Sequence, residues 1–147
     1  MSVFGSLMRV ARRRSPWLFH ANAGSCNGCD IEFVTALTPR YDAEQLGIRN
    51  EPSPRHADVL VVSGPVTRTT CAALETVYAQ MPAPKVVVAL GSCPATCNVF
   101  AGSPVVVGPL DRVMPVDVYI PGCPPRPDAI MAGLAQAAGL LADRSGQ

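Results

Sequence analysis

From Trp17 onward the chain alternates short apolar runs with longer stretches of helical spacing. Apolar runs at 17–20, 59–62, 85–90 and 116–120 show little polar alternation. That pattern fits strands covered on both faces rather than strands with one wet face. Helical patterns follow at about 30–37, 70–80 and 127–141. The last has Pro127 in its first turn, Asp128 beside its N-terminus, and Ala, Leu and Met after them. Proline is tolerated at the start of a helix, and a negative charge is favoured there. Residues 39–54 read as a loop with at most a short strand or turn.

Strands alternating with helices imply a parallel sheet joined by right-handed crossovers. The predicted fold is α/β, a flavodoxin-like three-layer sandwich with a mostly parallel sheet. Sites in such folds form outside the carboxyl ends of the strands. The length of 147 residues suits one domain with a normal core, placed here at 17–142 and followed by a polar tail at 143–147.

Residues 1–16 stand apart. Phe4, Leu7, Met8 and Ala11 share a helical face, and Arg9, Arg12 and Arg13 lie away from it. No acidic residue precedes Asp30. A basic amphipathic arm of this kind suits a membrane surface or a groove on a partner, with a solvated terminus as the alternative. The arginines before SPWLFH resemble those of a twin-arginine signal. The apolar segment of about 7–15 residues that such a signal requires does not follow them.

Composition narrows the function. A net charge of +1 and an aromatic content of 5% argue against a nucleic-acid-binding role. Fifteen prolines and twelve glycines cluster at predicted strand ends, in SGPVT, LGSCP and IPGCPPRP, and punctuate loops. No apolar run reaches the roughly 18 residues that cross a bilayer. The expected location is therefore cytoplasmic, where six cysteines point to metal or redox chemistry more than to disulfides.

Four of those cysteines follow predicted strands: Cys26 and Cys29 in SCNGCD, Cys93 in LGSC and Cys123 in PGCPP. Strand ends on one sheet edge converge, so thiolates far apart in sequence can form one site. Four cysteines are the usual ligand set of a four-iron cluster. The two-residue spacing of Cys26 and Cys29 lets both sulfurs reach neighbouring corners, with Gly28, Gly91 and Gly122 allowing close backbone approach. A lone CxxC also suits a redox dithiol or half of a zinc site. Structural zinc usually takes two close pairs, whereas here 63 residues separate Cys29 from Cys93. Cys71 reads as a buried structural thiol, and Cys97 as a neighbour of the site or an alternative ligand. His20 and His56 read as packing or loop residues. Arg49, Arg55 and Arg68 read either as groups tuning the site or gripping a partner, or as ordinary surface charges.

SCNGCDIE, RHADVLVVSGPVT, PKVVVALGSC and VYIPGCPPRPDAI, in that order, resemble the small electron-transfer subunit of energy-converting, membrane-bound [NiFe] hydrogenases. That subunit is similar to the cluster-bearing subunit of respiratory complex I. The resemblance implies that Cys26, Cys29, Cys93 and Cys123 bind one [4Fe-4S] cluster. It places the nickel-iron centre in a separate large subunit, and implies a ferredoxin-like electron partner and membrane subunits, with this chain peripheral on the cytoplasmic side. Electrons would pass between the large subunit and the ferredoxin-like one. The CxxC, in place of the adjacent cysteines of the complex I subunit, matches the hydrogenase arrangement. Related subunits carry a glutamate soon after the second ligand, which implies a proton-relay role for Glu32; a helix-start acid is the other reading. They also commonly carry a glycine pair where this chain has Cys97-Asn98. The alternatives are a subunit of a complex I-related quinone or sulfur oxidoreductase, and a zinc-stabilised interaction module.

Overall fold

A computed structural model describes residues 7, 10, 11 and 14–144. Most of the basic arm at 1–16, and the end of the polar tail, lie outside the described residues. The chain runs β1 (Trp17–Asn22), α1 (Gly28–Ala36), β2 (Arg49–Asn50), β3 (Val59–Ser63), β4 (Val66–Thr67), α2 (Arg68–Gln80), β5 (Val86–Leu90), α3 (Ser92–Thr96), β6 (Val106–Gly108), β7 (Val118–Ile120) and α4 (Pro127–Arg144). Short 3-10 turns fill several connections.

Five strands form one parallel sheet in the order β2-β1-β3-β5-β7. Counted along the chain this is 2-1-3-4-5, the flavodoxin-like order, whose direction reverses between β1 and β3. The register pairs Leu18 with Val59, Val59 with Val86, and Val88 with Val118. Every residue of β3 and β5 is buried, as the unbroken apolar runs predict; β1 and β7, also expected to be covered on both faces, are partly exposed, with Tyr119 of β7 open to solvent.

Period-two alternation divides the core. Leu18, Val59, Val61, Val86, Val88 and Leu90 face Phe33 of α1 and Ile130, Leu134 and Leu141 of α4. Leu60, Val62, Val87 and Ala89 face the opposite way, toward Leu74 of α2, Met81, Leu110 and Met114. Each fully buried aliphatic side chain contributes about 1.5–3 kcal/mol to folding. Two such layers fasten the strands firmly enough to hold their carboxyl ends in fixed relation.

Several boundaries differ from the sequence reading. Helix α1 begins at Gly28, two residues earlier than predicted, because Asn27 at φ 70° turns the chain directly into the helix. Helix α2 begins at Arg68, since Thr67 and Thr70 form a reciprocal capping box. The loop at 39–54 holds β2, whose Arg49 pairs with Glu51 at 2.9 Å and lies over the Trp17 ring. Charged side chains on so short an edge strand discourage further strand pairing. Helix α3 and the antiparallel β4–β6 pair have no sequence forecast, because segments of two to five residues carry no readable period.

Candidate metal centre

Each predicted cysteine is placed by a loop at the carboxyl edge of the sheet. After β1, the Asn22 side chain accepts hydrogen bonds from the N–H groups of Gly24 and Ser25, at 2.9 and 2.8 Å. That turn delivers Cys26, and Asn27 then opens α1, so Cys29 falls in its first turn. After β5, Gly91 at φ 92° leads into α3, whose first turn carries Cys93. After β7, Gly122 precedes Cys123. The last two loops are stitched together: Gly91 N–H donates to Ile120 O, and Ser92 N–H and hydroxyl both donate to Gly122 O.

Close contacts join these loops into one site. A Cβ on Gly91 would lie 2.6 Å from Cys29 Sγ and 3.3 Å from Gly122 O. A Cβ on Gly28 would meet Cys26 Sγ at 3.6 Å and Pro124 at 3.8 Å. Cys29 and Cys93 are buried, whereas Cys26 and Cys123 are exposed. The group therefore has a protein-facing half and an open half.

Electrostatics also couple the four. Burial pushes the Cys29 thiol up to about 11, and Cys93, Asp30, Cys26 and Cys123 add to the rise. Burial raises Cys93 as well, with Cys123, Cys26 and Cys97 contributing. Thiolates packed this closely repel one another and resist ionisation unless a cationic centre balances them. The donor set therefore fits a metal centre ligated by sulfur. Among the described residues, no three His, Cys, Asp or Glu side chains are grouped to hold a single metal ion. Four thiolates on one zinc would stand only about 3.8 Å apart, given the usual zinc–sulfur distance.

Of the remaining cysteines, Cys97 adjoins the site and Cys71 lies away from it, less buried than the sequence suggests. Cys71 lies half-buried on α2 with its thiol 3.9 Å from Glu75. Cys97 is buried beyond α3, and its N–H donates to Cys93 O at 2.8 Å. Burial raises its thiol, and Arg112 opposes that rise. Cys97 and Asn98 both have positive φ, at 62° and 43°. Side chains rarely adopt that backbone region and glycine does so readily, so a glycine pair would fit these two positions without strain.

Glu32 is half-buried, one turn after Cys29, and makes no hydrogen bond or ion pair among the described residues. His56, Arg55 and Arg68 are exposed. His20 packs as predicted, its ring stacked on Phe33 at 4.8 Å. It also has a polar role that sequence reasoning missed. Its Nε2 lies 2.9 Å from Asp30 Oδ1 and 3.2 Å from Ser63 Oγ. Ser63 Oγ donates to the same Asp30 oxygen at 2.5 Å, and Asn22 Nδ2 donates to the other at 3.0 Å. Burial lowers the His20 pKa, and the neighbouring Asp30 carboxylate opposes that shift. The signal for this network was present: alternation puts His20 and Asn22 on the face of β1 that carries Leu18.

Known proteins share this frame. The chain is 57% identical to a probable membrane-bound hydrogenase subunit, mbhJ, of Pyrococcus furiosus, over 88% of this chain and 77% of that protein. It is 42% identical to formate hydrogenlyase subunit 7 of Escherichia coli, over 95% of this chain and 54% of that one. It is 43% identical to an NADH-quinone oxidoreductase subunit of Citrifermentans bemidjiense, over 88% and 74%. A solved structure of an archaeal membrane-bound sulfane sulfur reductase matches with a TM-score of 0.82 and 37% identity, covering 94% of this chain and 76% of that one. The [NiFeSe] hydrogenase of Desulfovibrio vulgaris Hildenborough, at TM-score 0.57 and 20% identity, covers 80% and 57% and shares the fold. The family model described as NADH ubiquinone oxidoreductase, 20 Kd subunit, matches residues 26–137, from the first site cysteine into α4, and the chain belongs to that family of oxidoreductase-complex subunits.

Proposed function

We propose that this chain is the electron-transfer subunit of a membrane-associated [NiFe] hydrogenase complex and holds one [4Fe-4S] cluster through Cys26, Cys29, Cys93 and Cys123. The observation that carries the reading is the meeting of four thiols from three strand-end loops, with bare Gly91 behind Cys29. When bound, the cluster supplies one-electron redox chemistry.

The chain's own residues provide the rest. Cys29 and Cys93 anchor the buried half, and burial there excludes water. Cys26 and Cys123 lie on the open half, where a large subunit carrying the nickel-iron centre would cover them. Beside Cys26, α1 exposes Ile31 and Val34, which border a shallow cavity of about 350 Å³ with Asn27, Asp30 and Thr35. Apolar side chains this exposed suit burial by a partner. Glu32, which makes no hydrogen bond or ion pair among the described residues, would pass protons toward the large subunit. A ferredoxin-like subunit would exchange electrons with the cluster, and membrane subunits would hold the assembly at the cytoplasmic face. No helix among the described residues is long and apolar enough to cross a membrane. Residues 17–142 form the cluster-binding unit of this reading, and the arm at 1–16 is its docking element.

A second reading keeps the cluster and changes the substrate to sulfur, favoured by the likeness to the sulfane sulfur reductase. The intact complex, isolated anaerobically and exposed to H2, separates the two. Reduction of the cluster by H2 supports the hydrogenase. A cluster inert to H2 in a complex that turns over polysulfide overturns it. The partner sequence gives a parallel check, since a nickel-iron site needs two CxxC pairs there.

A further inference from the structure

Asp30 directly follows Cys29, yet its side chain turns back toward the sheet. It meets groups from two strands: His20 and Asn22 of β1, and Ser63 of β3. Ser63 is fully buried and aims its hydroxyl at Asp30 Oδ1. Asn22 acts twice, donating to Asp30 while its own oxygen holds the Gly24 and Ser25 amides. One carboxylate therefore ties the first turn of α1 to the point where the strand order reverses, and through Asn22 to the loop that carries Cys26.

We infer that Asp30 is a positioning residue for the CxxC pair, and that its charge, shared among Ser63, Asn22 and His20, lowers the reduction potential of the cluster bound there. The inference rests on the cluster reading above. Mechanically, the bonds from β1 and β3 fix the direction in which α1 leaves the sheet, and so the place of the Cys29 sulfur. Electrostatically, a fixed negative charge one residue from a ligand disfavours adding an electron. The donors around the carboxylate draw off part of that charge, so removing one of them acts oppositely to removing the charge itself.

Asp30→Asn and Ser63→Ala, made in the full complex and purified anaerobically, test this by iron and sulfide content, potentiometric titration and the EPR spectrum of the reduced cluster. Wild-type complex without iron and sulfide would end the underlying cluster reading, whatever the variants do. With the cluster present in the wild type, Asp30→Asn should retain it, shift its potential upward and alter its EPR line shape. Ser63→Ala, which removes one donor and leaves the carboxylate, should keep full cluster content and shift the potential downward. If Asp30→Asn cannot hold the cluster, Ser63→Ala decides alone: a downward shift supports the inference, and a wild-type or higher potential overturns it. Wild-type potentials and spectra in both variants at full cluster content overturn it outright.

Discussion

Gly91 leaves open the space beside the Cys29 sulfur: a Cβ at that position would stand 2.6 Å from Sγ. The glycine belongs to the end of β5 and the sulfur to α1, so the contact joins two loops that are distant in sequence. Its backbone, at φ 92° and ψ 177°, lies in a region almost restricted to glycine. Two independent constraints, space and backbone angle, therefore fall on one residue.

Gly91→Ala should displace Cys29 and strain the turn. The expected outcome is loss of most cluster iron, with destabilisation of about 1–3 kcal/mol from the backbone alone. Iron analysis and thermal melting of the purified variant check this. Wild-type iron content would mean that the sulfur is held by something other than this contact.

Serine in place of each cysteine distinguishes ligands from bystanders. Cys26→Ser, Cys29→Ser, Cys93→Ser and Cys123→Ser should each lose the cluster, while Cys71→Ser and Cys97→Ser retain it. Cys97 is the sharper control, because its thiol is buried and contributes to the shift of Cys93. Loss in Cys97→Ser with retention in Cys93→Ser would reverse the ligand assignment.

Glu32→Gln preserves shape and removes the acid. Under the proton-relay reading, H2 turnover or proton–deuterium exchange slows, while the EPR signal of the reduced cluster is unchanged. Unaltered turnover would return Glu32 to a helix-start acid favoured by the dipole of α1.

The sheet was legible because Val59–Ser63 and Val86–Leu90 are buried on both faces, which leaves unbroken apolar runs in the sequence. The strand-end positions of the four cysteines were legible too, although only Cys93 follows a strand buried on both faces; β1 and β7 are partly exposed. The joints between the loops were not legible. The approach of Gly91 to Cys29 depends on two chain segments meeting in space, which no local period encodes. The Asp30 network escaped because His20 and Ser63 look like polar punctuation at the ends of apolar strands. Only their shared face and the turn of α1 reveal a common partner. Cys97 and Asn98 stood out as a departure from a glycine pair, and their positive φ values supply the physical content of that departure.

The most direct test of the account is metal and sulfide analysis of the anaerobically purified protein, paired with EPR after reduction. About four iron and four sulfide per chain are expected, with the signal of a reduced four-iron cluster. One zinc per chain, with no reduced-cluster signal, would contradict it.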